Sequence, residues 1–128
     1  MVTPRHLLVV SLLIGATNVQ ADVPWRIVRG ADLRAMFIDH ELADGVHYAY
    51  QFRDNGIFTG FSMGREIRGT WRVAGNEFCW TQRKAAPVEE CFEVDRRGSE
   101  IRLLRDGYEA FSANLSPLKA QVPTGGPR

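Results

Sequence analysis

The chain has few of the marks by which a small protein announces a chemistry. Only two of its 128 residues are cysteine. They do not form a Cys-x-x-Cys pair, so neither a zinc ribbon nor a thioredoxin-like redox couple is encoded at the usual spacing. No Gly-x-Ser-x-Gly elbow and no glycine-rich phosphate loop occurs, which removes the α/β-hydrolase nucleophile and the P-loop. Charge of one sign is missing too: 16 Lys and Arg face 15 Asp and Glu. A near-neutral chain with interspersed signs has no overall electrostatic footprint for nucleic acid or an anionic membrane. Long apolar runs are scarce. The one present, Leu7 to Ala16, has ten residues, too few to span a bilayer.

That run sits where an export signal would. Arg5 precedes it, and Val19-Gln20-Ala21 offers small residues at the place where a signal peptidase cuts. The expected cleavage lies between Ala21 and Asp22, and no cysteine stands there to carry a lipid. The expected organisation is a leader over 1–21, one domain over 22–115 and a disordered Pro- and Gly-rich tail over 116–128. The mature chain is expected in the periplasm or outside the cell, with no membrane attachment after cleavage.

Beyond the leader the hydrophobic period is first helical, then alternating. Asp32 is placed to cap a short helix that carries Leu33, Met36 and Phe37 on one side. From Val46 onward, apolar and polar residues alternate. Asn55-Gly56 signals a two-residue hairpin, setting Phe52 opposite Thr59, Tyr50 opposite Phe61 and Tyr48 opposite Met63. Gly75-Asn76 signals a second, with Val73 opposite Phe78 and Trp71 opposite Trp80. A third turn at Arg97-Gly98 sets Val94 opposite Ile101 and Phe92 opposite Leu103, and leaves Glu93 and Arg102 as a surface pair. A last strand follows Asp106-Gly107, its register open to a glycine bulge.

About seven strands in local hairpins, with one short N-terminal helix, predict an all-β antiparallel up-and-down meander closing into a barrel or half-barrel. Tyr48, Tyr50, Phe52, Phe61, Trp71, Trp80 and Phe92 would share its interior. A filled core is the default for such a set, and a ligand cavity the less common outcome.

The register pairing Phe78 with Phe92 also pairs Cys79 with Cys91, on the face away from Trp80. Directly opposed cysteines in a non-hydrogen-bonded pair lie within bonding reach, and export supplies an oxidising compartment. The reading is a structural disulfide. Candidate ligand-facing residues are Tyr48, Tyr50, Trp71, Trp80, Glu90 and Arg105. The last two are expected across from each other, at a wet rim where an ion pair contributes little. The group Asp39, His40, Glu41 and His47 lacks the spacing that puts two imidazoles on one helix face.

Gly69-Thr70-Trp71, Cys79-Trp80, Cys91-Phe92 and Asp106-Gly107 resemble the marks of small exported alphaproteobacterial proteins of unknown function. The resemblance covers nearly all of the chain from Ala31 to Gly107, and implies export and a lipocalin-like β fold. A similarity of size, export and single disulfide also links the chain to periplasmic β-barrel inhibitors of secreted proteases and lysozymes. The expected function is a non-enzymatic periplasmic binding or accessory module without cofactor or metal. Its partner would be a small apolar or aromatic ligand, or else a periplasmic protein. The protein-binding form would be an inhibitor acting through Trp25 and the Lys84–Glu89 loop.

Overall fold

The computed structural model describes residues 2, 15, 23–84 and 86–119. The cleavage point and the chain after residue 119 lie outside them. In order, the elements are β1 (Arg26–Val28), α1 (Gly30–Phe37), β2 (His40–Ala43), β3 (Tyr48–Phe52), β4 (Ile57–Ser62), β5 (Arg65–Ala74), β6 (Glu77–Gln82), β7 (Glu90–Arg97), β8 (Glu100–Arg105) and β9 (Tyr108–Pro117).

β2 to β9 pair in sequence order, and β9 pairs back with β2, so eight strands close an antiparallel barrel. β2 supplies the closing lane, its Leu42 lying between Tyr50 of β3 and Leu115 of β9. β1 extends the lane of β6, pairing Val28 with Val94 and Arg26 with Arg96 beyond the end of β6. The alternating pattern misses both short strands. β2 falls on His40-Glu41, where two adjacent polar residues hide the period. β9 runs on through Ser116 and Pro117, and the Leu118 N–H donates to the Asp39 carbonyl at 2.9 Å.

The first hairpin differs from its expected register by one residue. Phe52 lies opposite Phe58 and Tyr50 opposite Gly60. The connection is three residues long: the Arg53 N–H donates to the Ile57 carbonyl at 2.9 Å, and Gly56 alone takes a left-handed φ of +79°. Asn-Gly here builds a turn with a glycine bulge rather than a two-residue turn, which needs positive φ at both positions. A one-residue slip exchanges the two faces of a strand. Phe58 therefore enters the core and Phe61 stands outside, contrary to expectation.

The other turns show smaller departures. Trp71 opposes Trp80 and Val73 opposes Phe78, as the alternation predicts. The third turn is Gly98-Ser99 rather than Arg97-Gly98, so Val94 faces Leu103. A shift of two keeps every face but changes partners, and Arg102 pairs with Asp95, not Glu93. The bulge of the last hairpin sits opposite Leu103 and Leu104, past the turn. Asp32 is not the helix cap. Arg29 holds that place without a side-chain hydrogen bond, and Asp32 lies in the first turn, where its charge suits the helix dipole.

The barrel interior is packed with rings. Trp80, fully buried, has Tyr50, Phe52, Phe58, Phe78, Phe92 and Phe111 around it at centroid distances of 5.4 to 6.5 Å. Gly69 makes room: a Cβ there would run into the Phe58 ring and the Thr81 carbonyl. Burying each such side chain contributes roughly 1.5–3 kcal/mol. Helix α1 closes one end. Phe37 stacks on Phe78 at 4.2 Å and meets Phe52 edge-on at 5.3 Å, while Arg34 donates to the Asp54 carbonyl at 3.1 Å.

Candidate functional site

With α1 over the end that carries the β3–β4, β5–β6 and β7–β8 turns, the other end is left to four connections. These are β2–β3, β4–β5, β6–β7 and β8–β9. Each has one large apolar side chain in or beside it: Val46, Met63, Val88 and Tyr108, all between 70 and 83% exposed. Such residues occur singly on many surfaces, but one on every connection of a single barrel end makes a ring.

The connections are held by polar contacts, not by burial. In β2–β3, the Asp44 carboxylate accepts the N–H groups of Val46, His47 and Tyr48 at 2.9, 2.6 and 3.1 Å, and pairs with the His47 ring at 2.7 Å. Desolvation pushes this carboxyl up, but the three backbone donors and the imidazole outweigh it and hold it well below the usual carboxylate range. The Met63 N–H donates to the His47 carbonyl at 2.7 Å, tying the second connection to the first.

The β6–β7 connection is clamped at its base. Cys79 and Cys91 are directly opposite and disulfide-bonded, with Cα atoms 4.1 Å apart. Beside them Arg72 forks onto Glu89 at 2.9 and 2.5 Å. Cys79, Glu89 and Cys91 are the one group of three metal-capable side chains close together among the described residues. The disulfide removes both thiolates from it. His40 and His47 lie at opposite ends of the barrel wall, so the sequence cluster around His40 is not brought together.

Of the candidate ligand-facing residues, Tyr50, Trp71 and Trp80 are core. The Trp71 indole donates to the Arg53 carbonyl at 2.8 Å under the helix. The Trp80 Nε1 is buried without a partner. Tyr48 stacks on Tyr50 at 4.9 Å and donates its hydroxyl to the Ser112 carbonyl at 3.1 Å. Burial first, then the Asp44 charge, raises its pKa to about 12. Glu90 and Arg105 meet at 2.6 Å at the mouth, both partly open to solvent, and the guanidinium covers the Phe92 ring at 4.8 Å. They are diagonal neighbours rather than directly opposed, since the third turn shifts by two.

Trp25 and the Lys84–Glu89 loop are not neighbours. Trp25 lies on the outer wall between the guanidinium groups of Arg97 and Arg102, 4.6 and 3.9 Å from its ring. Arg102 in turn forks onto Asp95 at 2.9 and 2.5 Å, and Asp95 is only 6% exposed. These contacts fasten Trp25 to β7 and β8, beside an open groove of about 760 Å³ that also reaches Glu109 and Ser112.

Sequence reasoning missed Arg65, Arg68, Arg83 and Lys84, which line adjoining hollows at the helix-free ends of β5 and β6. Net charge hides them because it averages over the chain. The register that pairs Trp71 with Trp80 would have found two of them, since it sets Arg68 opposite Arg83. No family model, curated protein or solved structure matches the chain.

Proposed function

We propose that the protein is an exported, non-enzymatic binding module that recognises a partner protein with the four connections at the helix-free end of its barrel. One observation carries this reading: the interior is full of aromatic side chains, while every connection at that end exposes an apolar one. A filled barrel leaves recognition to its surface. Apolar side chains on anchored loops are suited to burial against another protein, because little conformational freedom remains to be lost. Export is supported by the leader-like segment and by a disulfide, which persists in oxidising compartments. The narrower form is inhibition of an exported hydrolase by the disulfide-clamped Lys84–Glu89 loop.

Photo-crosslinking residues introduced at Val88 and at Tyr108 test the reading. In the native compartment both should yield an adduct with the same protein, and the same probe at Asn76, beside the helix, should not. Equal labelling at both ends, or none at Val88 and Tyr108, contradicts it.

A second reading draws on a single atom. The unpartnered Trp80 Nε1 is a donor inside the barrel, and a small ligand bearing an acceptor would satisfy it if the rings part.

A further inference from the structure

We propose that Arg65, Arg68, Arg83 and Lys84 form a binding site for phosphoryl groups at the helix-free ends of β5 and β6. The site adjoins the partner-binding end and shares the β6–β7 connection with it, but its ligand class and the residues that test it, Arg68 and Arg83, are separate from the apolar ring. Gly69 lies opposite Gln82, and the next step of the ladder sets Arg68 against Arg83, whose N–H donates to the Arg68 carbonyl at 2.8 Å. Like charges directly opposed across two strands destabilise a sheet. Four other cations, Arg72, Arg97, Arg102 and Arg105, each reach a carboxylate within 3.0 Å. Among the described residues no carboxylate pairs with Arg65, Arg68, Arg83 or Lys84.

The four cations line two adjoining hollows, of about 380 and about 650 Å³, that share Arg68, Gln82, Arg83 and Lys84. Thr70 and Thr81 line the first, Thr59 and Ser62 the second, and Glu66 is the one acid in either. The lining thus combines guanidinium and ammonium donors with hydroxyls that can donate. Guanidinium forks match the oxygens of a phosphoryl group in pairs. Four cations against one carboxylate fit a ligand with more than one negative charge. A phosphorylated small molecule and the headgroup of an anionic phospholipid share that chemistry.

The test uses the full oxidised chain, with amide NMR signals of residues 59–70 and 81–84 followed during titration. Sodium pyrophosphate is one arm; phosphatidylglycerol vesicles, against phosphatidylcholine vesicles, are the other. Saturable shifts confined to these residues are expected in at least one arm. R68Q and R83Q should each weaken that binding roughly tenfold, in line with loss of a charge-assisted hydrogen bond, and R26Q on β1 should not. Pyrophosphate binding alone marks a soluble ligand, and phosphatidylglycerol binding alone marks a headgroup; both support the site. R83T should fold with unchanged or raised thermal stability, so lost binding is not lost structure. No saturable binding in either arm, or binding that R68Q and R83Q leave intact, overturns the proposal. Neither outcome decides crosslinking at Val88 and Tyr108, which line neither hollow.

Discussion

Phe58 lies directly across from Phe52 with its ring inside the barrel, 5.6 Å from its partner, while Phe61, three residues on, is 58% exposed on the outer wall. The length of one turn decides between them. Phe58→Ala should destabilise the protein by roughly 3–5 kcal/mol, the range for a buried ring. Phe61→Ala should fall within about 0.5 kcal/mol of the parent. Urea unfolding of the two variants distinguishes the registers, because the two-residue turn predicts the opposite order.

Cys79 and Cys91 close a loop of sequence separation 12, which restricts the unfolded chain by about 3 kcal/mol in the entropy model. The oxidised protein should show no reactive thiol under denaturing conditions. Cys79→Ser with Cys91→Ser should lower unfolding free energy by roughly 2–4 kcal/mol. Two titratable thiols in protein from its native compartment would remove the staple.

Two ion pairs with similar geometry should differ in effect. Glu90 and Arg105 are both partly solvated at the mouth, so Glu90→Gln should shift stability by less than about 1 kcal/mol. Asp95 is buried against the wall with Arg102 and, through it, Trp25. Asp95→Ala should lose more than Glu90→Gln, since the nearly buried carboxylate also holds the guanidinium against which Trp25 packs. Thermal denaturation of both variants at neutral pH reads the contrast.

Asp44 and Tyr48 set the pH limits of the helix-free end. A carboxyl held low in the folded state stabilises above its unfolded pKa of about 3.9, and that contribution is lost as pH falls through the folded value. Asp44→Asn should lower the melting temperature at neutral pH and flatten its decline below about pH 4. Tyr48 works at the other end of the scale. Its hydroxyl stabilises below the unfolded pKa of about 10, and that part is lost as pH rises toward the folded value of about 12. Tyr48→Phe should remove this alkaline slope.

Much of the barrel is legible in its alternation, and the exceptions have local causes. The Gly75-Asn76 hairpin follows from counting residues outward from a two-residue turn, and the opposed cysteines follow from the register that pairs Phe78 with Phe92. The same count fails at Asn55-Gly56 because Asn does not take a left-handed φ there and the turn gains a residue. At Gly98-Ser99 the glycine is the first turn residue rather than the second, which moves partners but not faces. β1 and β2 are too short to show a period, with three and four residues, and β2 opens on His40-Glu41. The candidate site is less legible than the fold. Val46, Met63, Val88 and Tyr108 lie far apart in the chain and share an end only once the strands alternate in direction. Trp25 carries no periodicity at all, and only the two arginines that enclose it show its place.

The most direct test of a filled barrel with an outward-facing function is native mass spectrometry of the protein from its native compartment. The account predicts the mass of the disulfide-bonded chain with no small molecule inside, and any adduct to be a protein that Val88→Glu or Tyr108→Glu releases. An apolar molecule retained one to one, and lost on substitution of Trp80 with Phe, would contradict it.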